Sequence, residues 1–345
     1  MRIISNMIKQ VIQTERLKTA CYRSGDKNPV KLLFLHGNLS SSEFLLPLFP
    51  ELEKHFDVVA PDLRCFGDTE PLPVDASRGY RDWSDDVYAL CCSLRWEHFV
   101  LCGWSMGGDI AMQFAIDHAE MVDRLVLLAP GSPYGFGGSR GADGIPYDPC
   151  GLGSGAGCAN PGLTLAIRYQ SRYVLRDILT KYYFQPPFRM PRVWENLMLD
   201  AIGKIHLGDD GYPGNFTVTG KWPYVIAGDR GVLNTMTPRY GNMEKFLTIK
   251  EKPPVLWIRG ADDCIVSDHS IMEFGYLGQI GLAPGWPGAD KYPPQPMVSQ
   301  LQRFFGRYSE NNGKVVEMVI AGGHMCALES PREFLAAVIS FCAMN

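Results

Sequence analysis

The stretch Phe99-Val100-Leu101-Cys102-Gly103-Trp104-Ser105-Met106-Gly107 decides the fold of this chain. A short apolar run of this kind is typical of a strand buried on both faces, and the residues after it have the spacing of an amphipathic helix. The junction matches Gly-x-Ser-x-Gly, in which a serine occupies a sharp turn between strand and helix. The flanking positions approach neighbouring chain so closely that only small residues fit. Ser105 is therefore predicted to be a nucleophile exposed at the carboxyl edge of a parallel sheet.

Strand-like and helix-like segments alternate on both sides of this motif. The strands are predicted at residues 30–34, 57–61, 99–103, 124–128, 254–258 and 315–320. The helices are predicted at residues 40–52, at 83–95, after Ser105, and at 331–342. Short loops between such segments indicate an α/β protein with a mostly parallel, doubly wound sheet.

The alternation stops between residues 131 and 252. Residues 131–162 are largely Gly, Pro, Ser and Asp, and aromatic-rich helical segments follow them. We predict one catalytic core, residues 1–130 and 253–345, that carries a cap of residues 131–252 as an insertion. A second irregular segment, from Gly275 to Met297, has the composition of turns, and no helix is predicted there.

Composition and charge exclude several classes of protein. The chain has 345 residues, 46% hydrophobic and 20% charged, so it can build a large core. Its 33 basic and 37 acidic residues give a net charge of −4 without the clustered Lys and Arg that nucleic acid requires. No apolar run is long enough to span a bilayer, and the first residues lack a signal peptide's apolar region. We expect a cytoplasmic protein without nucleic-acid or membrane partners, and the oligomeric state is left open, a homo-oligomer included.

The ten cysteines are expected to be mainly reduced, because five of them lie in predicted core strands and helices: Cys91, Cys92, Cys102, Cys326 and Cys342. Cys150 and Cys158 lie in a Gly-rich loop and are the one pair for which a disulfide is considered. Since no Cys-x-x-Cys or His-rich ligand spacing is present, neither a metal site nor a cofactor is expected.

A serine nucleophile needs a base, and the chain has seven histidines. In this architecture the base follows the last strand. His324 is the histidine in that place, after Val315 to Ile320, in Ala321-Gly322-Gly323-His324. His324 is therefore the predicted base.

These motifs together resemble the α/β-hydrolase superfamily. The likeness spans residues 25–130 and 253–345. It rests on His36-Gly37-Asn38, Asp62-Leu63-Arg64, Gly103 to Gly107, Gly260 to Val266, and His324. The resemblance implies the α/β-hydrolase fold, with the helical cap inserted after the sixth strand. One departure is Cys65, where relatives usually have glycine, and it puts the shape of that loop in doubt.

The resemblance also implies a carboxylate after the strand that follows the insertion. Gly260-Ala261-Asp262-Asp263-Cys264-Ile265-Val266 offers two, and Asp263 fits the family's Gly-x-x-Asp-x-x-Val register better than Asp262. Asp263 would orient His324 and stabilise its charged form. Backbone N–H groups of Met106 and Asn38 are expected to form the oxyanion hole.

The predicted function is hydrolysis of a carboxylic ester or lactone of a hydrophobic small molecule, through an acyl-enzyme on Ser105. Aromatic residues of the cap and its neighbours are the candidates for substrate binding. They are Trp104, Tyr134, Trp222, Tyr224 and Trp286. Haloalkane dehalogenases are similar around His36 but use an aspartate nucleophile, so that chemistry is disfavoured here.

Three alternatives stay open on the same fold. One is hydrolysis of a C–C bond β to a carbonyl, because selectivity lies in the pocket and not in the triad. Another is a peptidase resembling proline iminopeptidases, for which acidic residues of the cap would bind the substrate amine. The candidates are Glu195, Asp200, Asp209 and Asp210. The third is a slow hydrolase that serves as a ligand receptor.

Overall fold

A computed structural model of the protein describes residues 8–154 and 161–343. The part that precedes residue 131 contains the first strands and helices of the core. The strands are β1 (Gln10–Gln13), β2 (Lys18–Ser24), β3 (Lys31–Leu35), β4 (Asp57–Pro61), β5 (Phe99–Trp104) and β6 (Val122–Leu128). The helices are α1 (Phe49–Leu52), α2 (Arg81–Leu94) and α3 (Met106–Asp117).

The segment between β6 and the next core strand contains short elements. Its helices are α4 (Pro161–Arg168), α5 (Arg172–Ile178), α6 (Arg192–Ile202) and α7 (Val232–Thr235), with a π-helical turn at Leu179–Tyr183. Its strands are β7 (Ser139–Arg140), β8 (Ile145–Pro146), β9 (Leu207–Gly208), β10 (Tyr212–Pro213), β11 (Phe216–Val218) and β12 (Val225–Ala227).

The core then resumes. Its remaining elements are β13 (Val255–Gly260), α8 (Phe274–Gln279), α9 (Met297–Glu310), β14 (Val315–Ile320), α10 (Cys326–Glu329) and α11 (Pro331–Ala343). They complete an eight-stranded sheet of order β1-β2-β4-β3-β5-β6-β13-β14. β1 and β2 pair antiparallel, as do β2 and β4, and the remaining neighbours are parallel. The predicted fold class, a mostly parallel doubly wound sheet, is confirmed.

The centre of the sheet is apolar because helices cover both of its faces. Every residue of β4 and β5 is buried, as in strands with no solvent-facing side. Large rings such as Phe34, Trp83 and Trp257 fill the space between sheet and helices. Because these strands run parallel, their carboxyl ends lie at one edge of the sheet. The loops that follow β5, β13 and β14 all begin at this edge.

Glycines allow α3 to lie unusually close to this edge. A β-carbon at Gly107 would lie 2.5 Å from the carbonyl oxygens of both Leu35 and His36, and one at Gly103 would lie 2.2 Å from the Gly107 oxygen. Backbone atoms held by strand hydrogen bonds cannot move aside for a methyl group. The first turn of α3 is therefore in direct backbone contact with the end of β3.

Two of the predicted elements differ from the structure. The helix predicted at 40–52 is divided into 3-10 turns at Ser42–Phe44 and Leu46–Leu48, followed by α1. Pro47 and Pro50 lack the N–H groups that a continuous helix would need. The segment from Gly275 to Met297 overlaps α8, which begins where the Glu273 carboxylate accepts hydrogen bonds from the N–H groups of Gly275 and Tyr276. The turn composition of the segment hid this side-chain cap.

Two buried glutamines attach the loop after β6 to the rest of the core. The Gln295 side chain accepts from Gly137 N–H and donates to the Gly135 oxygen, at 2.6 and 2.9 Å. Gln300 on α9 accepts from the Ser132 hydroxyl at 2.6 Å. A glycine-rich loop of low intrinsic order is thereby held in one conformation.

The structure bears on three expectations from the sequence: the state of the cysteines, a membrane-spanning helix, and the backbone at Cys65. Its cysteines carry free thiols, Cys150 among them, whereas Cys158 lies outside the described residues. No helix in residues 8–154 and 161–343 is long and apolar enough to cross a membrane. Cys65 adopts φ +72°, the left-handed conformation in which glycine is the least strained residue.

Two helical glycines test the contact between α3 and β3. Gly107→Ala is expected to lower the free energy of unfolding by about 1–3 kcal/mol, because its methyl group meets two backbone oxygens. Gly306→Ala, at an exposed position of α9, is the control, because nothing lies within 4 Å of the place that its methyl group would take. It should raise the free energy of unfolding by up to about 1 kcal/mol, since alanine is the better helix former. Urea unfolding of both variants gives the comparison, and equal stabilities would contradict the proposed contact.

Candidate active site

Ser105 lies on the turn between β5 and α3. Its φ of +54° places a non-glycine residue in the left-handed region, and its N–H donates to the Leu128 oxygen at 2.9 Å. Gly37 passes so close that a β-carbon there would lie 2.9 Å from the Ser105 β-carbon. The strained turn thus presents the hydroxyl at the sheet edge beside the end of β3.

His324 and Asp263 meet at the same edge. His324 follows β14 and Asp263 follows β13, and His324 Nδ1 lies 2.8 Å from Asp263 Oδ2. Asp263 Oδ1 accepts from Ile265 N–H at 2.8 Å and Val266 N–H at 3.0 Å. The side chains of the pair are only 2% and 3% exposed. Three donors and burial fix this carboxylate, and with it the orientation of the imidazole, while adjacent Asp262 is exposed.

Ser105 and His324 both line one cavity, and within the described residues no hydrogen bond links their side chains. The loop of His324 is attached to the end of β5, because Trp104 Nε1–H donates to the His324 oxygen at 3.0 Å. Contacts between a serine nucleophile and its base are often loose when no substrate is bound. The arrangement leaves His324 Nε2 as the ring nitrogen not engaged by Asp263.

Asn38 and Met106, the predicted oxyanion-hole residues, line the same cavity as Ser105. Neither of their backbone N–H groups donates a hydrogen bond within residues 8–154 and 161–343. Met106 is the first residue of α3, where an N–H lacks an intrahelical partner. Asn38 is held through its own carbonyl, which accepts from the Tyr183 hydroxyl at 2.8 Å. Two unpaired donors therefore lie beside the serine.

His36 stabilises the turn that carries Asn38. Its Nε2 accepts from Leu63 N–H at 2.9 Å, and its Nδ1 lies 2.8 Å from the Gly37 oxygen. Burial lowers the pKa of His36 to about 4, so the ring is neutral near pH 7. The neutral ring joins the turn after β3 to the loop after β4.

The cavity has a volume of about 1060 Å³, enough for a drug-sized molecule. Its wall is formed by both the core and the segment between β6 and β13, called the inserted segment below. Most of the lining side chains are apolar. They include Leu39, Phe136, Leu163, Ile178, Tyr182, Leu207, Phe216, Leu233, Met236, Val266, Phe274 and Leu277. Such a space favours a largely hydrophobic ligand.

The structure places none of the five aromatic candidates for substrate binding among the described residues that line this cavity. Trp104 is fully buried beneath His324, with its ring 5.9 Å from that of Phe44. Tyr134 packs edge-on against Phe304 on α9. Both rings belong to the core of the protein.

The other three candidates lie in the outer loops. Trp222 and Trp286 donate their indole N–H groups to the oxygens of Pro284 and Tyr292, at 3.1 and 2.9 Å. Tyr224 is half exposed. The Trp222 bond joins the inserted segment to the segment after α8, whereas the Trp286 bond lies within the segment after α8. The sequence alone does not distinguish such structural contacts from a role in ligand binding.

The acidic residues of the inserted segment are mostly neutralised by arginines. Glu195 is 2.9 Å from Arg176, Asp210 is 2.6 Å from Arg230, and Asp200 pairs with Arg172. Asp209 is the member of the set that lines the cavity. The group does not form a concentrated negative site for a substrate amine.

Two residues at the cavity were not predicted from the sequence. Asp109 lies four residues after Ser105, where a carboxylate in the otherwise apolar start of α3 was the available signal. Tyr183 packs edge-on against His324, with 6.0 Å between ring centres, and no local pattern singled it out. No group of three or more His, Cys, Asp or Glu in the described ranges could hold a metal ion.

Comparison with known proteins agrees with this architecture. Residues 31–146 match a family model described as the alpha/beta hydrolase fold. Over 115 residues the chain is 36% identical to the 2-hydroxymuconate semialdehyde hydrolase of Pseudomonas sp. (strain CF600), covering 32% of this chain and 40% of that protein. Over 97 residues it is 34% identical to the soluble epoxide hydrolase of Corynebacterium sp. (strain C12), covering 28% and 33%. The matches thus span less than half of either relative.

Solved structures extend the likeness along the whole chain. The carboxylesterase CesB (YbfK) from Bacillus subtilis aligns with a TM-score of 0.60, over 99% of this chain and 95% of that one, at 17% identity. At this identity the likeness establishes the fold.

Adjacent aspartates test the assignment of the carboxylate. Asp263→Asn is expected to slow covalent labelling of Ser105 by a fluorophosphonate at least about 10³-fold, since the amide favours the wrong tautomer of His324. Asp262→Asn, one residue away and exposed, is expected to change the rate less than twofold. Mass spectrometry of the labelled peptide over time measures both rates. A large effect of Asp262→Asn with none for Asp263→Asn would reverse the assignment.

The pH dependence of stability tests the neutral state of His36. Because its folded-state pKa of about 4 lies below the ordinary 6.5, its contribution is complete above pH 6.5 and falls as pH is lowered towards 4. Between pH 7 and 5 this amounts to about 2 kcal/mol. The difference in unfolding free energy between wild type and His36→Gln should shrink by that amount. Because Asp109 titrates in both proteins, its contribution cancels in this difference. If urea unfolding gives the same difference at pH 7 and at pH 5, the prediction is contradicted.

Proposed function

We propose that this chain, whose residues 31–146 match the alpha/beta hydrolase fold, is a serine hydrolase that cleaves a carboxylic ester or lactone of a hydrophobic small molecule. The observation that carries the proposal is the convergence of Ser105 and the His324–Asp263 pair on one apolar cavity. A nucleophile, an oriented base and a water-poor space are the requirements of acyl transfer.

The mechanism has two acyl-transfer steps. His324 Nε2 takes the Ser105 proton as the serine oxygen attacks the substrate carbonyl, and the Met106 and Asn38 N–H groups bind the resulting oxyanion. The carbonyl re-forms, the alcohol leaves with the proton from His324, and an acyl ester of Ser105 remains. Water, deprotonated by His324, then attacks this ester and releases the acid and free Ser105. Asp263 accepts the hydrogen bond from His324 Nδ1–H and stabilises the imidazolium in both steps.

Epoxide opening is not supported by the nucleophile, although a relative is named a soluble epoxide hydrolase. A carboxylate that opens an epoxide forms an ester, which water can hydrolyse. A serine would form an ether, which this machinery cannot cleave. The presence of Ser105 therefore favours carbonyl substrates.

Hydrolysis of a C–C bond next to a ketone is the second candidate. The observation in its favour is the 36% identity over 115 residues to a protein named 2-hydroxymuconate semialdehyde hydrolase. The same serine and base can act on a ketone if the carbanion that leaves is stabilised by a second carbonyl group. The pocket, and not the triad, distinguishes this reaction from ester hydrolysis.

A peptidase and a slow receptor are less well supported. An amine-binding site would need unpaired acidic groups, whereas Glu195, Asp200 and Asp210 face arginines. A receptor with the complete set of Ser105, His324 and Asp263 would turn over its ligand slowly. Its distinguishing property would be tight binding with little hydrolysis.

Turnover of model substrates tests the proposal. We expect hydrolysis of p-nitrophenyl esters of four to eight carbons, little hydrolysis of a prolyl-anilide, and a loss of at least about 10³-fold in kcat with Ser105→Ala. Ser93→Ala, a serine on α2 outside the cavity, is the control that should leave kcat unchanged. Release of nitrophenolate and nitroaniline is followed by absorbance. Absence of both ester turnover and fluorophosphonate labelling of Ser105 in folded protein would overturn the proposal.

A further inference from the structure

Tyr183, at the end of the π-helical turn, reaches the reacting groups from the inserted segment. It lines the cavity, yet only 5% of the residue is exposed. Its ring packs edge-on against two rings of the core, with 5.6 Å to the centre of Trp104 and 6.0 Å to that of His324. Its backbone oxygen accepts from Met325 N–H at 2.9 Å. Because these contacts fix the ring, they also fix the position of its hydroxyl group.

The hydroxyl of Tyr183 holds the turn after β3. It donates to the Asn38 oxygen at 2.8 Å, and the Asn38 backbone has no other hydrogen bond within residues 8–154 and 161–343. The next residue, Leu39, has a φ of +48°, a left-handed conformation that is strained for leucine. Strained backbone keeps its conformation only where its surroundings hold it. The bond from Tyr183 is therefore well placed to hold the peptide between Asn38 and Leu39.

The hydrogen-bonding capacity of the phenol limits what Tyr183 can do. Burial raises the pKa of Tyr183, so the hydroxyl keeps its proton at neutral pH. A phenol has a single O–H donor, and the Asn38 oxygen accepts it. Tyr183 cannot donate the same proton to a substrate oxygen. An effect of this hydroxyl on the reaction must therefore pass through Asn38.

We propose that Tyr183 is a positioning residue for the oxyanion hole, whose hydroxyl holds the Asn38 backbone so that the Asn38 N–H stays directed at the developing oxyanion. This inference rests on the proposed function, since the oxyanion forms when Ser105 attacks a carbonyl. The inserted segment thereby contributes to the chemical step as well as to ligand fit. Because the charge develops after binding, loss of the hydroxyl should weaken the transition state and leave ground-state binding unchanged.

Removal of the hydroxyl alone tests this role. Tyr183→Phe keeps the ring against Trp104 and His324. With p-nitrophenyl hexanoate we expect kcat to fall about tenfold, the value of one hydrogen bond, and KM to change less than twofold. The matched control is Tyr308→Phe, because Tyr308 is fully buried on α9, outside the cavity lining, and its hydroxyl donates to the Pro253 oxygen at 3.0 Å. This variant should lose similar stability but keep the wild-type kcat.

The pH profile of kcat separates an effect on the oxyanion hole from an effect on the base. Because the phenylalanine ring keeps its contact with His324, the profile of Tyr183→Phe should have the same midpoint as that of the wild type. A shifted midpoint would mean that the hydroxyl acts through His324, and it would overturn the proposal. Equal losses of kcat in Tyr183→Phe and Tyr308→Phe would also overturn it, since both would then reflect stability alone.

A binding measurement keeps this inference distinct from the proposed function. The probe is pentyl trifluoromethyl ketone: the Ser105 oxygen bonds to its carbonyl carbon, the carbonyl oxygen becomes an oxyanion, and the serine proton moves to His324 Nε2. Its dissociation constant, measured by fluorine NMR, should rise about tenfold with Tyr183→Phe and less than twofold with Tyr308→Phe. Methyl pentyl ketone, which is far less electrophilic, should bind the wild type and both variants equally in competition with the probe.

The outcomes are separable. If the wild type hydrolyses no ester but Tyr183→Phe weakens the adduct of the trifluoromethyl ketone, ester hydrolysis fails and the role of Tyr183 stands. If the wild type hydrolyses esters and Tyr183→Phe changes neither kcat nor the adduct, the role of Tyr183 fails and the reaction stands. Absence of any adduct in folded wild type would overturn both.

Discussion

The contact between Gly107 and the carbonyl oxygens at the end of β3 is the constraint on which the rest of the site depends. With no side chain between them, α3 and the His36–Gly37 turn lie backbone to backbone, and Ser105, Met106 and Asn38 meet at one edge of the sheet. A second contact of this kind brings β13 to the loop of His324, since a β-carbon at Gly260 would lie 2.1 Å from the Gly323 oxygen. Two glycine contacts therefore position the groups that act in the proposed reaction.

The inserted segment is fastened to the same loop. Met325 N–H donates to the Tyr183 oxygen at 2.9 Å, at the end of the π-helical turn. Glu329 accepts from Gln185 N–H on one oxygen and from Gly323 N–H on the other, each at 2.7 Å. Because these bonds join the inserted segment to the residues that flank His324, the wall of the cavity and the base are positioned together. A change of sequence at this junction would alter ligand fit and base orientation at once.

The sequence predicts the core strands well because strands of a buried parallel sheet appear in the sequence as short apolar runs. The strands predicted at residues 57–61 and 315–320 coincide with β4 and β14. Ser105, Asp263 and His324 could be proposed as site residues because each follows a recognisable strand, and the structure brings the three loops to one edge of the sheet. The antiparallel β1 and β2 gave no comparable signal, and Pro47 and Pro50 divide what apolar spacing presented as one helix. The cavity lining could not be predicted, because whether a ring such as Trp222 faces a ligand or a neighbouring loop depends on contacts between segments distant in sequence.

Two carboxyl groups near Ser105 have opposite environments: that of Asp263 suits an anion, and that of Asp109 suits a neutral acid. Asp263 accepts two backbone N–H bonds and one from His324, the surroundings that an anion needs to stabilise an imidazolium. Asp109, one turn from Ser105, has no cation beside it among the described residues, and burial raises its pKa to about 8. An ionised Asp109 would repel the oxyanion that the proposed reaction forms on the substrate carbonyl, whereas the neutral acid would not. Burial therefore lets α3 carry a polar group next to the nucleophile without opposing the charge that develops there.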